Sequence, residues 1–355
     1  MQPGGASILI VCFRFIGDVL VTTPLAVSIK QALPDTTIDY LVFEGTQGVL
    51  SHNPLVRDVI TVPRTGSNAA LLFPLFRRYD LAIAAYPSDR TLLAAAMAGK
   101  RSVGLIYGGK DAWWKQALLS GHCICDDHRH VVANILSLLE PLGIAPIPRV
   151  TTGCDDNDLA FAASAISANK YIVLHPYSRN SRKYWPAENW GRLAALIQEQ
   201  SGCTALFTTT PDPADGSYLQ EILASAPQDV LTFKEPCSLA QLAGIIRGSQ
   251  AYVGIDTVVT HMAAALDVPV VALFGPSLTR YWGPWPNGST RSSPFADAGG
   301  VQRVANVTVV QKDWPCVPCN RDSCALSTRG RMECLEELSP DEVFSELHRS
   351  LGRQE

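Results

Sequence analysis

The sequence predicts an α/β protein built from two doubly wound domains, and three observations support this prediction. Short apolar runs alternate with helical segments, first from Ile8 onward and again from Tyr171 onward. Such alternation predicts a parallel sheet with helices on both faces. The chain has 355 residues, more than the roughly 250–300 residues that share one hydrophobic core. We therefore expect two Rossmann-like domains, with the boundary in the polar and proline-containing stretch between Gly143 and Lys170.

Each predicted element follows from its hydrophobic period and its turn residues. In the first half we expect strands at 8–13, 37–43, 59–62, 81–85 and 102–105, and helices at 19–33, 45–52, 68–78, 90–98 and 130–142. In the second half we expect strands at 171–174, 204–208, 251–253 and 269–274, a helix at 187–200, and a helix that begins at Asp256 and Thr257 and ends before Pro269.

Composition excludes several classes of protein. With 47% hydrophobic and 17% charged residues, the chain is typical of folded, core-rich proteins. A net charge of −4 argues against nucleic-acid binding. No basic segment precedes the apolar run 7–13, and no apolar run reaches about 18 residues, so neither a signal peptide nor a membrane span is predicted. We expect a cytoplasmic protein whose ten cysteines are free thiols or metal ligands.

The segment 250–275 carries the main candidate site. A buried strand ends near Gly254, and a helix begins at Asp256 and Thr257, so unpaired helical N–H groups and the helix dipole favour an anion such as a diphosphate there. Asp256 can accept hydrogen bonds from ligand hydroxyls, and His261 lies one turn further on. The alternative is that Asp256 and Thr257 only cap the helix and that His261 is a core residue.

Charged residues also follow the first predicted strand of each domain. Gly17 permits a close turn, and Asp18 is placed as a strand-end carboxylate facing a cleft, or else as a helix cap. No Gly-x-Gly-x-x-Gly pattern accompanies them, which argues against a nicotinamide enzyme. After strand 171–174, Arg179, Arg182 and Lys183 indicate either an anion site or a solvated basic loop.

These motifs together resemble glycosyltransferase family 9, the bacterial ADP-heptose:lipopolysaccharide heptosyltransferases. They are Arg14-Phe-Ile-Gly17-Asp18, Lys183-Tyr-Trp185-Pro186, Gly254-Ile-Asp256-Thr257 with His261-Met-Ala-Ala-Ala265, and Phe274-Gly275-Pro276. The resemblance spans nearly the whole chain. Thr22-Thr23-Pro24 and Tyr281-Trp-Gly-Pro-Trp285 resemble the branch that adds the third, side-branching heptose of the inner core.

The resemblance implies a GT-B fold, two Rossmann-like domains facing across a cleft. Residues 1–160 would bind the acceptor and residues 161–337, with a cysteine-rich loop, the nucleotide-sugar donor. Residues 338–355 would form a helix that packs back toward the first domain. The implied reaction moves heptose, with inversion and without a metal cofactor, from ADP-heptose to the lipid A-core oligosaccharide. A lipid-linked acceptor also implies peripheral contact with the cytoplasmic face of the inner membrane.

Site residues are carried over from the family by position. Asp18 corresponds to the general base, Lys183 to a lysine near the donor phosphates, and Asp256 to the aspartate that holds the heptose. The remaining matches are the backbone N–H groups of Thr257 and Val258 around the diphosphate, His261 beside them, Asp212 on the ribose, and Arg14, Gly17, Arg179 and Arg182 as acceptor or phosphate support. Val258 departs from the family, in which many members have a smaller residue.

The cysteines Cys316, Cys319, Cys324 and Cys334 form a separate feature. The first two have the spacing of a metal knuckle. Similar clusters bind iron in some relatives, including protein-directed heptosyltransferases. We expect either one structural zinc or iron ion or four free thiols.

Three other functions remain open from sequence. They are a protein-directed heptosyltransferase, a nucleotide-sugar epimerase of related fold, and a noncatalytic sugar-nucleotide sensor. A sensor would need Lys183 and Asp256 but not Asp18.

Overall fold

The computed structural model describes residues 5–66, 68–109, 112–233, 237–327 and 331–352. Contacts divide the chain into two compact units, Met1–Gly153 and Cys154–Glu355. The division falls in the predicted boundary stretch, a few residues before residue 160. None of the helices in these ranges combines the length and the apolar character that crossing a bilayer would require.

The first unit contains a six-stranded sheet in which every pair of neighbours is parallel. Its strands are β1 (Ser7–Cys12), β2 (Thr37–Phe43), β3 (Asp58–Val62), β4 (Tyr79–Ala84), β5 (Gly99–Ile106) and β6 (Gly121–Ile124). Their spatial order is β3-β2-β1-β4-β5-β6. The order reverses between β1 and β4, and doubly wound sheets bind ligands at the carboxyl ends of the strands beside such a reversal.

Within the described residues, six α-helices and three short 3-10 helices connect these strands. The α-helices are α1 (Ile16–Leu20), α2 (Thr23–Ala32), α3 (Ala69–Leu72), α4 (Asp89–Ala98), α5 (Trp113–Leu118) and α6 (Val131–Leu136). The 3-10 helices are Gln47–Leu50, Phe73–Leu75 and Ser137–Leu142. The last of them ends at Gly143, whose φ of 66° is the left-handed conformation that glycine adopts without strain.

The single helix expected over 19–33 is two helices, and Pro24 explains the break. Proline has no N–H to donate to the carbonyl four residues earlier, which here belongs to Leu20. The Thr23 hydroxyl donates to that carbonyl instead, at 2.8 Å, and the Thr22 hydroxyl donates to the Val19 carbonyl at 2.7 Å. Two threonines thus satisfy the carbonyls that a continuous helix would have used.

Three further predictions for the first unit need correction, and one of them is the helix expected at 130–142, which is α6 followed directly by a 3-10 helix. The helix expected at 45–52 is only a 3-10 turn, and the helix expected at 68–78 is one short helix followed by another 3-10 turn. Glycine or proline interrupts both segments. The stretch 107–130, which shows no clear period, contains α5 and the edge strand β6.

The second unit repeats the same architecture with seven strands. They are β7 (Tyr171–His175), β8 (Thr204–Phe207), β9 (Leu231–Thr232), β10 (Ala251–Ile255), β11 (Val270–Leu273), β12 (Val301–Val304) and β13 (Val307–Val310), in the order β12-β13-β11-β10-β7-β8-β9. The order reverses between β7 and β10. The pair β12–β13 is antiparallel, and these two strands were not predicted from the sequence.

Helices cover both faces of this second sheet. They are α7 (Asp156–Ala165), α8 (Ala187–Ser201), α9 (Pro213–Ser225), α10 (Leu239–Arg247), α11 (Val258–Ala265), α12 (Thr279–Trp282), α13 (Glu333–Glu336) and α14 (Pro340–Leu351), with a 3-10 helix at Ser181–Lys183. Two buried apolar clusters, one on each face, form the core. The predicted α/β class with two doubly wound sheets is confirmed.

The C-terminal helix α14 packs within the second unit, against α8 and the sheet. Val343 and Leu347 are fully buried in that unit's core. On the same helix, Glu346 accepts two hydrogen bonds of 2.6 Å from Arg303 in β12 and one of 2.8 Å from Arg349. The predicted packing of this helix toward the first domain stays a prediction.

We expect Leu347→Ala to lower the free energy of unfolding of the second unit by about 2–5 kcal/mol, because it removes a fully buried side chain and leaves a cavity. Urea denaturation measures this. Leu326→Ala, at a side chain that is 64% exposed, is the matched control and should change the value by less than about 0.5 kcal/mol. Equal effects of the two substitutions would contradict the role assigned to α14.

Candidate active site

At the strand-order reversal of the first unit, Asp18 occupies the first turn of α1. Its carboxylate accepts a hydrogen bond of 3.2 Å from the Phe15 N–H, so Asp18 does take part in capping the helix. The residue is only 9% exposed. Arg14 is the nearby cation, but its Nε lies 3.9 Å from the carboxylate oxygen, too far for a hydrogen bond.

The surroundings of Asp18 disfavour its charged form. Burial raises the pKa of Asp18 to about 6, while Arg14 and the Phe15 N–H oppose part of that rise. The charge of a buried carboxylate is normally balanced by a cation that forms a hydrogen bond with it, and Arg14 does not form one with Asp18. Near neutral pH Asp18 is therefore ionised but more basic than an ordinary aspartate, so it is suited to accept a proton.

The other two residues predicted around Asp18 take different positions. The guanidinium of Arg14 lies over the rings of Phe15, at 4.7 Å, and Tyr86, at 5.0 Å. Gly17 lies inside α1 and not in a left-handed turn, so the close turn predicted there is wrong. Tyr86 was missed, although its position directly after strand β4, beside the reversal, could have indicated it.

In the second unit, Asp256 is the centre of a small polar cluster. It follows β10 and is 9% exposed. Its Oδ2 atom accepts hydrogen bonds from Lys183 Nζ at 2.5 Å and from Ser277 Oγ at 2.7 Å. Lys183 comes from the loop after β7 and Ser277 from the loop after β11, so three neighbouring strands supply the cluster. The interpretation of Asp256 as an ordinary helix cap is wrong.

Ser277 was not predicted, and a buried glutamine positions it. Gln311 Nε2 donates to the carbonyls of Gly275 at 2.7 Å and of Ser277 at 3.1 Å. A Cβ atom at Gly275 would lie 2.9 Å from Leu335, so only glycine fits the turn as it is packed. The adjacent Phe274-Gly275-Pro276 motif was the sequence signal for this turn.

The helix α11 begins directly after this cluster. Its N-cap is Thr257, whose side chain makes no capping hydrogen bond, and Val258 is the first helical residue. The first N–H groups of a helix lack intrahelical partners and carry the positive end of its dipole. The structure thus brings Lys183 and Asp256 together next to a helix N-terminus that favours an anion.

Two buried histidines adjoin the cluster, and both are neutral at physiological pH. Burial, opposed by Asp256 and aided by Lys183, lowers the pKa of His261 to about 4. Within the described part of the chain, His261 Nδ1 has no hydrogen-bond partner. Burial likewise lowers the pKa of His175, at the end of β7, to about 3, and its Nδ1 lies 2.7 Å from Thr208 Oγ1.

The remaining predicted residues are more peripheral. Arg179 is exposed, and Arg182 donates to the Asp322 carbonyl at 2.5 Å. Asp212 caps α9 by accepting a hydrogen bond of 2.9 Å from the Ala214 N–H. The neighbouring Asp215, which sequence reasoning missed, accepts hydrogen bonds from Tyr184 and from Thr210.

All ten cysteines lie in the described ranges, and none forms a disulfide. Burial, followed by Cys324, Cys319 and Cys316 in that order, raises the pKa of the Cys334 thiol to about 12, so the four predicted thiols are neighbours in space. Among the described residues, however, no three of these sulfur atoms lie within 4.8 Å of one another. The arrangement is a loose cluster and not a closed coordination shell.

Two domains with doubly wound sheets are the architecture of the predicted GT-B fold. The model of glycosyltransferase family 9 (heptosyltransferase) matches residues 77–297. The chain therefore belongs to glycosyltransferase family 9 and is a glycosyltransferase.

Individual relatives agree with this assignment. Lipopolysaccharide heptosyltransferase 3 of Escherichia coli K12 is 28% identical over 77% of this chain and 83% of its own length. A family 9 glycosyl transferase from Veillonella parvula superimposes with a TM-score of 0.78 at 19% identity over 99% of each chain. The E. coli ADP-heptose lps heptosyltransferase II superimposes with a TM-score of 0.74 at 20% identity over 98% of this chain and 99% of that one.

We expect the pKa of His261 to respond in opposite directions to the loss of its two charged neighbours. Lys183→Met removes a positive charge that disfavours the imidazolium, so the pKa should rise. Asp256→Asn removes a negative charge that favours it, so the pKa should fall below about 4. NMR titration of the imidazole measures both shifts, with His348 on α14 as the internal reference. Shifts of the same sign would contradict the geometry.

Proposed function

We propose that this protein transfers heptose, with inversion, from ADP-heptose to the inner core of lipopolysaccharide, and that Asp18 is the general base. The observation that carries the proposal is the buried Asp18 carboxyl, whose pKa is raised to about 6 at the reversal of the first sheet. A carboxylate of that basicity takes a proton from a hydroxyl group as the hydroxyl attacks.

On the donor side, Lys183 and the beginning of α11 supply positive charge. During the reaction the bond from the anomeric carbon to the diphosphate oxygen breaks, and negative charge grows on the departing ADP. A lysine and a helix N-terminus stabilise that charge. We therefore propose that the transfer step needs no metal ion.

Asp256 is assigned to the sugar of the donor. Lys183 and Ser277 both donate to its Oδ2, which fixes the orientation of the carboxylate. A carboxyl group held in a fixed orientation accepts hydrogen bonds from sugar hydroxyls without having to reorganise. Thr257 and Val258 present the N–H groups for the diphosphate, and His261, neutral and buried, lies behind them. The binding of the ribose by Asp212 stays a prediction, because the carboxylate of Asp212 accepts the hydrogen bond that caps α9.

Two cavities in the first unit lie beside the ends of β5 and β6, on the same edge of the sheet as Asp18. One, of about 330 Å³, is lined by residues that include Tyr107, Trp114 and Lys115. The other, of about 490 Å³, is lined by residues 124–129. Aromatic faces and charged groups are typical of sites for phosphorylated sugars, and we assign the lipopolysaccharide acceptor to this side. The name of the E. coli relative, lipopolysaccharide heptosyltransferase 3, supports that acceptor.

We expect Asp18→Asn to reduce turnover by about 10²–10⁴-fold, the usual contribution of a general base, and to leave ADP affinity unchanged. In the wild type, kcat/KM should fall as the pH drops below about 6, because protonated Asp18 cannot accept a proton, and it should level off above that pH. The variant should lose this pH dependence. A transfer assay with ADP-heptose and truncated core acceptors, beside calorimetric titration with ADP, measures these quantities.

The controls separate chemistry from binding and folding. Lys183→Met should weaken ADP binding, which Asp18→Asn should not do. Because the folded pKa of Asp18 lies above its unfolded value, ionisation of Asp18 costs stability as the pH rises through about 6. The neutral asparagine should therefore keep or raise the melting temperature at pH 7. Undiminished turnover in a folded Asp18→Asn protein would remove Asp18 from the mechanism.

For the cysteine cluster we propose a structural zinc or iron ion outside the reaction. The close spacing of Cys316 and Cys319 and the proximity of Cys324 to buried Cys334 support it. Binding would require a modest inward movement of the thiols and would deprotonate them.

Elemental analysis of protein purified without added metal should find one ion per chain, because four thiolates bind zinc or iron tightly. Cys316→Ser should lose the ion, whereas Cys237→Ser, at a thiol elsewhere in the same unit, should retain it. A mere trace of metal in the wild type would rule out the site.

A further inference from the structure

The segment between β3 and β4 exposes large apolar side chains. Phe73 is 77% exposed, Phe76 62% and Leu71 50%. These three residues, called the apolar patch below, occur within six consecutive positions of the chain. Single exposed apolar residues are ordinary, but a contiguous group with two phenylalanines marks an interaction surface.

The fold anchors this segment on one side only. Leu75 is buried, and Leu72 packs against the core of the first unit. Every residue of the run 69–76 is apolar, a pattern typical of a helix that is buried on all faces. In this protein, however, only the side that carries these two leucines contacts the core. The apolar patch is therefore not required to hold the segment in place.

Basic residues adjoin the apolar patch. Arg77 and Arg78 follow it directly and are exposed. The Arg77 N–H donates a hydrogen bond of 2.9 Å to the Met97 carbonyl. This bond holds together the two segments that lead into β4 and β5. Because Tyr79 is paired with Gly99 across β4 and β5, the exposed Lys100 and Arg101 lie at the same end of the sheet.

One carboxylate belongs to this basic group. Asp80 pairs with Lys100 at 2.9 Å and accepts hydrogen bonds from Ser7, so its charge is already engaged. These four cations and one carboxylate give the group a net positive charge, although the whole chain has a net charge of −4. The positive charge is thus local and lies next to the apolar patch.

We propose that the apolar patch and its four basic neighbours dock the protein on an anionic lipid bilayer. Phenylalanine and leucine side chains enter the boundary between headgroups and acyl chains, and arginines and lysines bind lipid phosphates. The complementary charge favours a bilayer over a second copy of this chain, because two copies would bring eight cations together. The occupant is therefore a lipid surface carrying negative headgroups.

The position of the surface suits a lipid-linked acceptor, and this part of the inference rests on the proposed function. Arg77 and Arg78 lie at the amino end of β4, whereas Asp18 lies at the carboxyl edge of the same sheet. The six residues of β4 span about 20 Å. A bound bilayer would thus lie about that far from the base, a distance suited to an acceptor with several sugars between its lipid and the reacting hydroxyl.

Sedimentation with vesicles tests the docking directly. The full-length protein should bind vesicles of phosphatidylglycerol and phosphatidylcholine much better than vesicles of phosphatidylcholine alone, and salt should weaken the binding. Phe73→Ser combined with Phe76→Ser should reduce binding at least tenfold. Arg77→Gln combined with Arg78→Gln should reduce it by about fivefold per arginine and make it less sensitive to salt.

Matched controls come from the second unit. Leu326→Ser changes a side chain of similar exposure, 64%, and Arg192→Gln changes an exposed arginine. Neither should alter vesicle binding. All the altered residues are on the surface, so the melting temperature should stay near that of the wild type. Equal vesicle binding by the wild type and the patch variants would overturn the proposal. It would also be overturned if the wild type formed a dimer that did not bind vesicles and if the patch substitutions made the protein monomeric.

Two activity measurements keep this inference separate from the proposed function. Patch variants should transfer heptose normally to a water-soluble acceptor without acyl chains and poorly to an acceptor embedded in anionic vesicles. Vesicle binding itself is measured without substrates. A protein that binds vesicles but transfers no heptose would refute the proposed function alone, whereas one that transfers heptose but ignores vesicles would refute the docking alone.

Discussion

The ion pair between Lys183 and Asp256 is the interaction on which the second unit's site depends. A nearly buried carboxylate is costly unless cations and hydrogen-bond donors surround it. Here a lysine and a serine converge on one oxygen of Asp256, and each arrives on a loop after a different strand. The charge of Asp256 therefore determines how three loops are arranged, and that arrangement stands at the first turn of α11.

Within the described residues of the first unit, Asp18 lacks a cation that is hydrogen-bonded to its carboxyl group. It is buried to the same extent as Asp256, but its nearest cation does not form a hydrogen bond with it, and its pKa rises to about 6. Two carboxylates of similar burial thus lie in different environments, because Asp256 has a bonded ammonium group and Asp18 does not.

Sequence patterns predicted both doubly wound sheets and most of their strands, because buried parallel strands are continuous apolar runs. They failed where local chemistry overrides periodicity, as at Pro24, and where strands are short or lie at an edge, as in β6 and β12. For the candidate site, strand-end positions indicated Asp18, Lys183 and Asp256, and the structure brings the last two into contact. Ser277, Gln311 and Asp215 were missed because their roles arise from contacts between distant segments, which a motif does not reveal.

The packing at Gly275 links two regions that the chain separates by about sixty positions. A Cβ atom at Gly275 would lie only 2.9 Å from the side chain of Leu335, which adjoins Cys334 in the sequence, and the same turn carries Ser277 to Asp256. A bulkier residue at 335, or a cysteine loop transplanted from another enzyme, would displace this turn. A redesign of the cysteine loop would therefore also move Ser277 relative to Asp256, because Leu335 packs against the turn that carries Ser277.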